Sequence, residues 1–268
     1  MKTDNQSLRA LFALPPVRES HDTAITVPTI PQQRIVTGDR EIDAVLWLHQ
    51  VVETGNPALI EKATEAIKRI STPMKQIETR YSNLLKQHPD THVFTLLLAT
   101  MNFGDLNFRA KRAIKRATSK HEALSRFGSI DQLFAYTPAE TACVAALDGV
   151  KRGKSWFYDE KKAAKKFGLV HTLVPATISD CLHVQGYWKS LYQLRNAVES
   201  HDAALEAYAH ETYAFELMAV IPPANGGEAL AAFDHIEAEE RLENSASPRI
   251  LRNLVVSGWF RHGERNGQ

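Results

Sequence analysis

The feature that most constrains this chain is the recurrence of apolar residues at three- and four-residue steps, nearly unbroken from Asp39 onward. Side chains spaced in that way share one face of an α-helix, whereas a half-buried strand needs strict alternation. Ile42, Val45, Leu46, His49 and Val52 make the first such face, and Gly55 ends it. Asn56 then reads as an N-cap with Pro57 in the first helical position, ahead of Leu59, Ala63, Ala66, Ile67 and Ile70. Thr72–Pro73 repeats the start signal before Ile77, Tyr81, Leu84 and Leu85, and His88–Pro89 stops that helix. Thr91 is placed to cap Val93–Met101, whose near-continuous apolar run predicts a central helix. Thr137-Pro138-Ala139-Glu140 has the residues of a capping box opening Cys143, Val144 and Leu147, and Ser247–Pro248 opens a last helix through Leu251, Leu254 and Val255. Only Thr23–Val27 and Leu169–Val174 read as strands, and neither has an alternating partner. The expected fold is all-α, an irregular bundle of about ten or more short helices with no sheet beyond a minor hairpin. The helix starts keep no fixed period, so a regular helical repeat is not expected.

Residues 1–37 differ. Pro15, Pro16, Pro28 and Pro31 interrupt them, and Leu8, Leu11, Phe12 and Leu14 form one short apolar cluster. The segment reads as a flexible, extended arm preceding a helical domain over 38–268, and removal of residues 1–30 should barely change the melting temperature. The alternative is a short docking helix at Leu8–Leu14, ended by the proline pair. A candidate joint between halves of the domain lies near 149–157, and a second break lies at Pro222–Gly227.

The 268 residues carry a net charge of only +1, but the charges are segregated. Asp105–Lys166 holds 14 Lys/Arg against 7 Asp/Glu, while Asn196–Glu243 holds 11 acidic residues and a single Arg241. Such asymmetry speaks of partners rather than of fold. Within the basic block, a helix over 106–127 has Phe108, Ala113, Ile114, Ala117, Leu124 and Phe127 as its apolar side. Arg109, Arg112 and Arg116 share another face with Lys115 beside it, and like charges at that spacing need solvent or an acidic counterpart. That counterpart is a partner protein, nucleic-acid phosphate or the chain's own acidic segment. Lys151, Arg152 and Lys154 extend the basic set, with Trp156, Phe157 and Tyr158 among them. Basic residues interleaved with aromatics suit a single-strand platform, but a near-neutral chain favours aromatics packed into a helix–helix joint.

Catalytic and metal signatures are weak. Gly149-Val-Lys-Arg-Gly153-Lys154-Ser155 has three residues between its glycines where a phosphate-binding loop has four, and the residues before it read as helix. A basic interhelical turn with Gly149 as C-cap is expected instead. His201, Glu206, His210 and Glu211 lack metal-ligand spacing and are expected on a surface helix. Cys181 lies near Asp180 and His183, but in a helix those positions point apart, which predicts a buried structural cysteine. Two cysteines without a CxxC pair favour a reducing compartment, and no apolar run approaches the ~20 residues of a membrane span. The expectation is a cytoplasmic protein with no membrane insertion, no catalytic residues, no cofactor and no metal.

EIDAVLWL at 41–48, NPALIEKA at 56–63, STPMK at 71–75, FGDL at 103–106, LSRFGS at 124–129 and VPATISDCL at 174–182 carry a resemblance. Over Gly38–Pro222 the chain resembles plasmid-borne accessory proteins of conjugative elements, of the fertility-inhibition type. The resemblance rests on texture without a functional motif and transfers no site residues. It implies a non-enzymatic regulator that inhibits conjugative transfer by binding a component of the transfer machinery, such as its coupling ATPase. The alternative is a helical nucleic-acid-binding regulator using the basic helix 106–127.

Overall fold

The structure, a computed structural model, describes residues 3–18, 29–87, 92–153 and 156–260. It is all-α, with 66% of the chain in helices. In chain order the helices are α1 (Gln6–Leu11), α2 (Arg40–Glu53), α3 (Pro57–Ile67), α4 (Met74–Lys86), α5 (Val93–Thr100), α6 (Leu106–Phe127) and α7 (Ile130–Phe134). There follow α8 (Pro138–Ala146), α9 (Glu160–Phe167), α10 (Ile178–Val198), α11 (Leu205–Leu217), α12 (Gly226–Ala238) and α13 (Ser247–Asn253). A 3-10 turn at His171–Leu173 stands where a strand was expected at Leu169–Val174, and a π-helical stretch at Leu254–Phe260 continues α13. Thr23–Val27 lies outside the described residues. The single β feature among those described is an isolated bridge between Arg152 and Tyr158.

The chain divides into two compact units, one of Arg18–Ser125 and one built from Met1–Val17 together with Arg126–Gln268. Neither the expected boundary at 37/38 nor the joint near 149–157 coincides with this division; the loop around Gly149 lies wholly within the discontinuous unit.

In the continuous unit the local signals at the helix starts mostly hold. Asp39 accepts from the amides of Glu41 and Ile42 at the head of α2, and Asn56 accepts from Leu59 at the head of α3. Ile42, Val45, Ile77 and Phe103 form one core cluster; Leu48, Val51, Val52, Leu59, Ile60, Ala63, Leu106 and Ala110 form another. Gly55 has φ +69°, and a Cβ there would lie 2.7 Å from the Ala117 Cβ and 2.8 Å from the Ala113 carbonyl oxygen. The α2–α3 turn therefore approaches α6 as closely as only a glycine permits. Thr72 does not cap α4; Pro73 holds that position, and the Thr72 hydroxyl donates to Glu41 at 2.7 Å. The larger correction concerns α5. It is not a central helix: Phe94, Leu97, Leu98 and Met101 are 48–68% exposed. An apolar run without a polar face states no direction of burial, so it could not reveal this.

The discontinuous unit is centred on α10, which packs against α11 and α12. Ile178, Cys181, Phe215, Met218, Ala232, Ile236 and Ile250 belong to one apolar cluster of this unit. Arg195 is buried and donates to the carbonyl oxygens of Leu133 and Ala135 and to both oxygens of Glu140, at 2.6–3.0 Å. Glu140 also accepts from the Thr137 amide, so the expected capping box is present and holds the acid that anchors Arg195.

Residues 1–37 are not one extended arm. Asn5 caps α1, its amide donates to the buried Asp180 at 2.8 Å, and its side-chain nitrogen donates to the carbonyl oxygens of His171 and Val174. Arg9 completes the clamp on Asp180 at 2.7 Å. Leu8 and Phe12 are fully buried, and the Phe12 ring stacks on His210 with centroids 4.8 Å apart and meets Tyr187 and Trp188 edge-on. A short docking helix is thus the reading that holds for this segment, because its few apolar residues find partners distant in sequence.

Candidate functional site

The sequence-predicted arginines meet on α6. Arg109, Arg112 and Arg116, with Glu53 and Ala113, line a cleft of about 360 Å³ in the continuous unit. The helix holds them there because the side adjoining them is fixed by buried Leu106, Ala110 and Ala113, set at helical spacing. Phe108 and Ile114 were expected on that apolar side; both are instead 40% exposed. The Arg112 guanidinium lies 5.7 Å from the Phe108 ring centroid, within cation–π range. Arg109 Nη1 is 3.7 Å from Glu53 Oε1, a loose pair, and its buried Nε finds no hydrogen-bond partner. Lys115 is exposed on the same helix but does not line the cleft.

Close to Arg109 sits His49, buried on α2 with its Nε2 donating to the Phe103 carbonyl oxygen at 2.7 Å. Burial, and then the Arg109 charge, lower its pKa to about 4. It is therefore neutral at physiological pH and adds no positive charge to the cleft. Among the residues that line the cleft, three carry guanidinium groups and one, Glu53, a carboxylate. Guanidinium is always charged and its planar fork matches carboxylate or phosphate, but it supplies neither nucleophile nor base.

The other candidates fall on the discontinuous unit. Arg152 reaches Glu206 at 3.4 Å and lies 5.6 Å from the Tyr158 ring centroid, while Tyr158 donates its hydroxyl to the same Glu206 at 2.6 Å. Arg152 is thus engaged with an acid of its own unit; Lys151 is exposed, and Lys154 lies outside the described residues. The neighbouring aromatics are not core, contrary to expectation. Trp156 is 77% exposed at φ +67°, a left-handed conformation rare for a bulky residue, and Phe157 is half exposed.

The acidic segment also finds cations within its unit: Lys189 pairs with Glu239, Arg241 with Glu211, and Arg249 approaches Glu216 at 3.7 Å. One of its histidines departs from the expected surface helix: His210 is fully buried. His210 Nε2 donates to the Leu173 carbonyl oxygen at 2.9 Å, and its Nδ1 accepts from the Trp188 indole at 3.4 Å. Burial lowers its pKa to about 4. Nothing local in the sequence announced this, because its partners come from α1, α9 and α10. Cys143 and Cys181 are buried, and burial pushes both thiols well above their ordinary value, which suits structural rather than nucleophilic roles. Among the described residues no group of three or more His, Cys, Asp or Glu is placed to hold a metal ion, and no helix is long and apolar enough to cross a membrane.

Comparison of the chain with protein-family models, with curated proteins and with solved structures gave no match.

Proposed function

We propose that the protein is a non-enzymatic regulator that binds another protein through its continuous unit, seating an acidic and partly apolar surface on the arginine cleft and its surroundings. The observation that carries this reading is the pairing, in one unit, of three cleft arginines with exposed Phe94, Leu97 and Leu98 on α5 and Met101 just after it. Protein interfaces combine apolar anchors with arginine, and charge complementarity steers their encounter. A phosphate backbone would use the arginines but has no use for an aliphatic row. The resemblance to fertility-inhibition proteins would make the partner a component of a conjugative transfer machine, and its coupling ATPase is the first to try.

The test is capture of partners by the wild type and by the Arg112→Glu/Arg116→Glu variant, with and without nuclease. Exposed charges contribute only ~0–1 kcal/mol each to stability, so the variant should fold like the wild type while losing the partner. Normal binding by a folded variant would refute the reading. If the captured species is nucleic acid, with affinity falling steeply as salt rises, the regulator acts on phosphate instead.

A further inference from the structure

The discontinuous unit contains a second cavity, unrelated to the arginines, whose lining has the opposite character. It is about 350 Å³ and is walled by Phe157, Tyr158, Tyr208 and Tyr213 with the carboxylates of Glu160 and Glu216; among the described residues, none that lines it is Lys or Arg. That volume falls in the range of small-molecule sites. α9 contributes Glu160 at its first turn, α11 contributes Tyr208, Tyr213 and Glu216, and the loop before α9 contributes Phe157 and Tyr158. The rings of Phe157 and Tyr208 meet at 5.3 Å, tilted by 49°, though each is about half exposed. Both rings are thus held at a solvent-facing mouth instead of being sealed in the core.

Electron-rich ring faces and carboxylates attract one class of ligand in common, a cation large and weakly hydrated enough to shed its water. The protein's own Arg152 shows this preference at the edge of the cavity, lying near the Tyr158 ring while pairing with Glu206. The cavity's two carboxylates are less committed. Glu160 makes no salt bridge among the described residues, and Glu216 has only the 3.7 Å approach of Arg249. An adjoining cavity of about 270 Å³ shares Glu160, Tyr208 and Glu216 and extends the acidic wall to Glu211, which is already paired with Arg241. Trp156, held exposed in a left-handed conformation immediately before Phe157, marks the loop at the mouth as strained, a condition that gathers at ligand sites.

We infer that this cavity binds a quaternary ammonium group, carried either by a free organic amine or by a trimethylated lysine side chain of a partner. This inference stands on a different unit from the proposed protein-binding cleft and does not depend on it. The experiment is a ligand-observed NMR titration of the full chain with choline and with 3,3-dimethylbutan-1-ol, a neutral molecule of nearly the same shape. Choline should bind roughly tenfold more tightly than the alcohol, since the shape term is common and the charge term is not. Tyr208→Ala should abolish choline binding, and Glu160→Gln should weaken it several-fold; both sites are exposed, and a dichroism spectrum checks that each variant keeps its helices. A trimethyl-lysine peptide in the same titration distinguishes the sources: tighter binding than choline points to a partner's side chain, weaker binding to a free amine. The proposal is overturned if the alcohol binds as tightly as choline, if Tyr208→Ala binds choline normally, or if neither choline nor the peptide binds at about 10 mM.

Discussion

The Phe12→Ala variant probes whether the first helix belongs to the core. Phe12 is fully buried, and its ring contacts Tyr187, Trp188 and His210 with centroids 5.4, 5.5 and 4.8 Å away. Truncation removes a whole buried ring and leaves a cavity among large, rigid neighbours that are themselves hydrogen-bonded. Tyr187 donates to Thr137 at 2.9 Å, and the Trp188 indole donates to His210, so neither can collapse into the space without breaking a buried bond. The loss should therefore sit at the full value for such truncations, about 3–5 kcal/mol. For a cooperative unit of ~150–250 residues, that lowers Tm by roughly 6–20 °C. Urea titration followed by dichroism gives the free energy directly, and the two units require a fit that allows two transitions. Val17→Ala, at an exposed position just beyond the prolines, is the control and should change little. A Phe12→Ala protein that melts within about 2 °C of the wild type would show that α1 is an appendage and that residues 1–17 can be removed without cost.

Arg195→Met should destabilise the discontinuous unit by about 3–5 kcal/mol in urea titration, because it leaves Glu140 charged and buried without its partner; adding Glu140→Gln should recover part of that loss. His49 and His210 have pKa values lowered to about 4 in the fold against 6.5 when unfolded, so the unfolded chain takes up more protons across that range. Their stabilising contribution is complete above pH 6.5 and is lost as pH falls toward 4. Melting temperature should drop between pH 7 and 5.5, by the equivalent of about 1 kcal/mol per histidine, and a flat profile would place both rings in solvent. Gly55→Ala should cost more than the ~1 kcal/mol of an ordinary strained turn, since φ +69° and the contacts with Ala113 and Ala117 act together; urea midpoints of the two proteins measure it.

What the sequence disclosed was local chemistry. Asn56 and Thr137 cap the helices they were expected to cap, because a cap needs only a side-chain oxygen and an amide two or three residues on. The arginine face of α6 was legible for the same reason, since helical spacing alone puts Arg109, Arg112 and Arg116 together. Illegible were the features that depend on distant residues. Phe12 and His210 are 198 positions apart in the numbering and reveal nothing about each other until the chain folds. The exposure of α5 was hidden because a helix apolar on every side has no preferred face. The aromatic cavity draws its walls from α9, α11 and the loop between α8 and α9, and only the loop's Trp156-Phe157-Tyr158 cluster hinted at it.

The discontinuity of the larger unit sets an order of events during synthesis. The amide of Asn5 and the carboxylate of Asp180 are 175 residues apart in the chain. At about 5–20 residues per second, α1 leaves the ribosome roughly 10–35 s before the helix that will clamp it exists. Arg18–Ser125 is continuous and has all of its own core residues in hand during that interval. Leu8 and Phe12 meanwhile have nothing of their own unit to cover them, so the nascent chain carries an uncovered apolar segment ahead of a unit that can already fold. Slowing translation between Arg126 and Asp180 would lengthen the time for which Leu8 and Phe12 wait for their partners.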